Sequence, residues 1–131
     1  MSLILGQQQL DKIHESLMEN LIEAGVQNVM LIDTAGNIIS SVSSSNGNIT
    51  VDLYSLAALA AANFGAMSSM ARIVGENEFS LLFHKGKKEN FYFSKVNEDF
   101  LLVNIFNNQI SLGFLRLKMA KVVEDLLDIL V

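Results

Sequence analysis

Cysteine is absent from all 131 residues. That excludes disulfides, thiolate metal ligands and a cysteine nucleophile together. A chain without cysteine and without a signal sequence fits a reducing compartment, so a cytoplasmic location is expected. The amino terminus, Met1 to Gly6, is too short for a signal peptide's apolar region and carries no basic segment. Charge is scarce as well. Charged residues make up 18% of the chain, and acids outnumber bases to leave a formal net charge of −5. An acidic domain repels phosphate backbones, so nucleic acid is not an expected partner. The one basic cluster, Lys85 to Lys88, is too short to reverse that.

Long runs of large apolar side chains are missing too. From Leu53 to Ala71 no residue is charged, a length that approaches a membrane span. The stretch is mostly alanine, however, with Tyr54, Ser55, Asn63, Gly65, Ser68 and Ser69 mixed in. It holds too few large apolar groups for stable insertion. What the chain does have is core material. Half of its residues are hydrophobic, more than a disordered chain carries. The length suits one domain, expected over residues 1–131.

Periodicity sets the element order. Leu10, Ile13, Leu17 and Leu21 step by three and four and predict a helix over Gln7 to Ala24, which Gly25 ends. Val29 to Ile32 is an apolar run suited to a buried strand. Asp33-Thr34-Ala35-Gly36-Asn37 is turn chemistry, and Ile38 to Val42 returns as the second strand of a hairpin. After a polar loop, Ser43 to Asn48, a central helix is predicted over Val51 to Val74, with Asp52 near its positive end and Gly75 and Asn77 ending it. Three strands follow: Phe79 to Phe83, Asn90 to Val96 and Phe100 to Phe106. They are joined by a glycine-bearing loop, His84 to Glu89, and a tight turn, Asn97 to Asp99. A last helix opens near Asn108 to Ser111, with Leu112, Leu115, Met119, Val122, Leu126 and Ile129 forming one seam. The expected fold class is α+β: an antiparallel sheet between helices, in the order α-β-β-α-β-β-β-α.

A search for chemistry returns little. His14 lies among polar residues on the outer face of the first helix, and His84 ends a strand beside lysines. Neither has a second ligand type at metal-binding spacing. Gly86-Lys87-Lys88 fails the phosphate-loop pattern, because Leu81 stands where a glycine is needed and Lys88 where Ser or Thr is needed. It reads as a solvated hairpin tip. No Gly-x-Ser-x-Gly elbow exists, and the serines are isolated from bases. Asp33 reads as a turn residue, and Glu124, Asp125 and Asp128 as a solvated helix face. No catalytic, metal-binding or cofactor-binding residue is assigned.

The central helix is the informative element. One stripe, Leu53, Leu56, Ala60, Phe64, Met67, Ala71 and Val74, is expected to face the protein's own sheet. A second, Tyr54, Ala58, Ala61, Gly65, Ser68 and Arg72, also steps by three and four, with Leu59, Ala62 and Ala66 between the two. An ordinary surface helix would carry Lys and Glu there. Small uncharged residues let helix backbones approach closely, so a second helix is expected against that side. The competing reading, cover by the rest of the same chain, leaves few elements to do the covering.

Three features in this order resemble the roadblock/dynein-light-chain family. They are the hairpin Val-Met-Leu-Ile-Asp-Thr-Ala-Gly-Asn-Ile-Ile-Ser at 29–40, the alanine-rich central helix followed by Gly75, and Ile-Ser-Leu-Gly-Phe-Leu-Arg at 110–116. The last is similar to the family's asparagine-leucine-glycine-leucine-x-arginine helix opening, with Ser111 where asparagine is usual. The resemblance implies a five-stranded antiparallel sheet between helices. It also implies a dimer, with itself or a related chain, built by pairing the central helices and the strands after them, here about Glu78 to His84. That adds Phe79, Leu81 and Phe83 to the expected interface. Family members regulate or scaffold small Ras-like GTPases, and others are dynein light chains. Prokaryotic members resemble the GTPase-activating partner of a gliding-motility GTPase. The resemblance therefore implies a non-catalytic dimeric regulator or scaffold of a small Ras-like GTPase. The alternatives are a small-molecule sensor, which needs a pocket with convergent polar groups, a purely structural dimerisation module, and an enzyme, which the missing constellations disfavour.

Overall fold

The computed structural model describes residues 5–44, 52–76 and 81–130. It contains α1 (Gln7–Leu17), β1 (Asn28–Asp33), β2 (Ile38–Ser43), α2 (Leu53–Ile73), β3 (Leu81–Lys85), β4 (Glu89–Lys95), β5 (Phe100–Asn107) and α3 (Leu112–Ile129). α1 runs on through a wider π-helical turn, Met18–Ile22, and reverses at Gly25, whose φ of 116° suits a residue without a Cβ. The expected loop at Ser43 to Asn48 falls mostly outside the described residues.

The five strands form one antiparallel sheet in the order β2-β1-β5-β4-β3. β5 lies at the centre and is buried from Phe100 to Phe106, a run that is apolar except for Asn104. Alternation along the strands sends side chains to two cores. On one face Leu31, Leu102 and Phe106 meet Ile13, Leu17 and Leu21 from α1 and Leu115, Met119, Val122 and Leu126 from α3. On the other face Met30, Ile32, Phe93, Leu101 and Val103 meet Ala57, Ala60 and Phe64 from α2.

The two faces are unequally covered. Five strands about 4.8 Å apart span roughly 20 Å or more, against a helix diameter of about 10 Å. Two helices suffice for one face. Among the described residues α2 is alone on the other.

Most predicted bounds hold to within two residues. β3 runs past its predicted end: the sequence places the strand over Phe79 to Phe83, of which positions 79 and 80 lie outside the described residues, and it spans Leu81–Lys85, taking His84 and Lys85 into the ladder opposite Phe91 and Asn90. The tip is correspondingly shorter, closed by the Gly86 N–H donating to the Glu89 carbonyl at 3.0 Å. Ser111 caps α3, its hydroxyl accepting from the Phe114 N–H at 3.2 Å. Asp52 caps α2 in the same way, its carboxylate accepting from the Ser55 N–H at 3.1 Å.

One part of the core stripe on α2 is corrected. Val74, expected to face the sheet, is 69% exposed, while Ala57, outside that stripe, is fully buried. The burial of α2 ends at Ala71, so the last turn extends into solvent.

Candidate functional site

The outward side of α2 is built from the residues the core does not take. Along Leu53–Ile73 the only charged side chain is Arg72, which donates to the Ser69 hydroxyl at 3.2 Å. At 100° per residue the buried row of Ala57, Ala60, Phe64 and Ala71 leaves an outward arc of more than half the circumference.

The small-residue stripe read from the sequence splits on this arc. Tyr54, Ala58, Gly65 and Arg72 are exposed. Ala61 and Ser68 are half-buried and line, with Gly65, Phe64, Thr34 and Asn97, a cavity of about 130 Å³ against the protein's own turns. Beside it runs a row that sequence reasoning named only in part: Leu59, Ala62, Ala66, Met70 and Ile73, stepping by three, four, four and three. Leu59 is 68% exposed and Ile73 84% exposed. The spacing from Leu59 was the available signal for Met70 and Ile73. It was masked because the whole helix is apolar.

The strand candidates are placed separately. Phe79 lies outside the described residues. Leu81 opens β3 and pairs with Ser94. Phe83 packs on Phe106 at 6.0 Å between ring centroids, on the face that carries α1 and α3. Among the described side chains of β3, His84 shares the face of α2, exposed and set edge-on to Phe93 at 5.7 Å. β3 is the last strand on its side of the sheet, so its outer backbone groups have no strand neighbour among the described residues.

The polar candidates resolve into structural roles. The Asp33 carboxylate accepts from the Ala35 N–H at 3.0 Å and from the Asn37 N–H at 2.8 Å. Burial raises its pKa, but these hydrogen bonds outweigh that and hold it below the ordinary value. Asp125 ties α3 to α1, accepting from the Ser16 hydroxyl at 3.1 Å and pairing with Lys121 at 2.7 Å. Glu19 is shifted the other way, raised chiefly by the nearby charge of Glu15. His14 is exposed. Among the described residues no group of three or more His, Asp and Glu is placed to hold a metal ion, and no helix is long and apolar enough to cross a membrane.

This arrangement, a five-stranded sheet with two helices on one face and an apolar helix on the other, has counterparts. A model of the Roadblock/LC7 domain matches residues 13–106. The chain belongs to the Roadblock/LC7 family. Among solved structures, the roadblock fold seen here is similar to the gliding protein MglB from Thermus thermophilus, with a TM-score of 0.91 and 29% identity over 98% of this chain and 96% of that one. It is similar to Myxococcus xanthus MglB at 37% identity and a TM-score of 0.85, covering 97% of this chain and 93% of that one. A structure of MglB in a tetrameric arrangement matches at a TM-score of 0.92 and 29% identity, over 98% of this chain and 95% of that one. No curated protein sequence matches this roadblock chain.

Proposed function

We propose that this roadblock protein is a non-catalytic, dimeric, cytoplasmic regulator or scaffold of a small Ras-like GTPase. The observation that carries the reading is its similarity to MglB along nearly the whole length of both chains. The physical support is α2. An apolar helix with Leu59, Met70 and Ile73 in water is costly unless a partner covers it, at about 25 cal/mol for each Å² of apolar surface. We assign that cover to α2 of a second roadblock chain, identical or related. The β3 edges would pair alongside and hide the open ladder, with His84 and Phe83 at the seam. The outer part of the stripe, Tyr54, Ala58, Gly65 and Arg72, borders this contact. Ala61 and Ser68 belong to its inner margin.

The sensor reading has less support. The cavity beside α2 is about 130 Å³, against roughly 300 Å³ or more for a small-molecule site.

The test is GTP hydrolysis by the Ras-like GTPase encoded beside the gene, with and without the roadblock protein, together with direct binding. Faster hydrolysis identifies an activator, and binding without a rate change identifies a scaffold. Neither binding nor a rate change with any such GTPase would overturn the proposal.

A further inference from the structure

α3 carries two rows of residues. The inward row, Leu115, Met119, Val122 and Leu126, is buried in the core. A second row, Arg116, Ala120, Val123 and Leu127, steps by four, three and four along one flank. That flank points away from α1. The α1 contact is made by Asp125, nine residues and so about half a revolution from Arg116. Arg116, Ala120 and Val123 instead form the wall of a groove of about 390 Å³ whose floor includes Tyr92 on β4. Ser94 and Met119 complete the lining, and Phe83, the cross-strand neighbour of Tyr92, lies beyond the groove toward the β3 edge. Leu127, 38% exposed, closes the row.

The charge of the groove is unusual for this protein. The chain carries a net charge of −5, yet the one ionic residue lining the groove is the cation Arg116. Burial raises the pKa of the Tyr92 phenol, and the nearby Arg116 charge opposes that rise. No carboxylate among the described residues lies within ion-pair distance of Arg116.

We propose that this groove receives a short amphipathic helix of a partner protein, apolar on its buried face and bearing a carboxylate that pairs with Arg116. The row from Arg116 to Leu127 spans about 16 Å, the length of roughly three helical turns. Its spacing presents a ridge into which another helix's side chains interlock, and Ala120 at mid-row lets the two backbones approach. An arginine backed by a tyrosine over an apolar floor has the make-up of an interface hot spot. A planar guanidinium selects a carboxylate in two-pronged geometry. The surface is separate from α2 and stands whether or not the GTPase reading does.

The test selects helix-favouring peptides of roughly twelve residues from a display library on the full chain, then measures the winners by fluorescence anisotropy. The expected winners carry Asp or Glu beside apolar residues at helical spacing. Arg116→Glu weakens binding at least about tenfold, and a Lys in place of the peptide's carboxylate restores it. Ala120→Glu, at an exposed position, weakens binding by a similar factor while the melting temperature of the free protein is unchanged. Winners without a carboxylate, binding indifferent to both variants, or amide shifts confined to β3 would overturn the proposal. So would a change in solution mass on Arg116→Glu, which would mean that a second copy of the chain fills the groove.

Discussion

Gly36, in the turn between β1 and β2, lies so close to Ala58 on α2 that a Cβ at position 36 would stand 2.9 Å from the Ala58 Cα. The neighbour is helix backbone, which cannot swing aside, and the φ of Gly36 is 91°. At Gly36 the hairpin turn therefore approaches α2 more closely than any side chain would permit, and with the packing of Met30 and Ile32 on Ala57, Ala60 and Phe64 this contact seats α2 on the sheet.

Gly36→Ala is expected to destabilise the fold by about 3 kcal/mol or more, adding a steric clash to left-handed backbone strain. Gly75 has a similar φ of 86° but open space around it. Gly75→Ala should therefore cost only about 1 kcal/mol. Denaturant melts of the two variants check the difference. Equal losses would show that the close approach to Ala58 carries no energy.

Leu59→Glu and Ile73→Glu are expected to convert a dimer to monomers without unfolding it. Both side chains are exposed in the single chain, so a charge costs nothing until a partner covers it. A loss of about 3 kcal/mol raises the dissociation constant more than a hundredfold. Ala61→Glu should behave differently, because Ala61 is half-buried against the chain's own turns. It lowers the melting temperature of the monomer itself. Light scattering after gel filtration, with parallel thermal melts, separates the two outcomes.

Acid should weaken the β1–β2 turn. The folded-state pKa of Asp33 is lowered, so the unfolded chain takes up its proton first as pH falls. The stabilisation is complete above the ordinary carboxylate value and is lost as pH drops through the lower folded value. Asp33→Asn should flatten that acid limb of the stability profile and leave the slope near neutrality unchanged. Urea midpoints measured from pH 7 downward check it.

Asn104 is fully buried between β5 and α3. Its amide donates to the Tyr92 carbonyl at 3.3 Å and to the Met119 sulfur at 3.0 Å, but its Oδ1 has no hydrogen-bond partner among the described residues. Asn104→Leu, which keeps the branch at Cγ, is expected to raise stability by about 1 kcal/mol by removing a desolvated acceptor. Asn104→Ala should lower it by about 2 kcal/mol through the cavity it leaves. A large loss in both variants would show that the two donated bonds outweigh the orphaned oxygen.

Element order was legible because it rests on local signals. The Leu10-Ile13-Leu17-Leu21 spacing, the Asp33 to Asn37 turn and the Ser111 cap each depend on a few consecutive residues, and each folds as read. The family features at 29–40 and 110–116 are of the same kind. The outward row of α2 was only half legible, because a uniformly apolar helix offers no charge to mark its solvent side.

What the sequence determined by itself was the set of helices and strands, the absence of charge along α2, and the family that both imply. Periodicity and turn chemistry act within a few residues, so they survive without tertiary context. Only the tertiary structure decided which alanines of α2 are core and which are surface. Gly36 seats the helix over Ala57, its last turn extends into solvent, and Val74 is therefore exposed. It also decided that Phe83 lies on the sheet face that carries α1 and α3 and that Arg116 has no acid within ion-pair distance among the described residues. Each of these depends on pairing between segments far apart in the chain, and no local spacing encodes it.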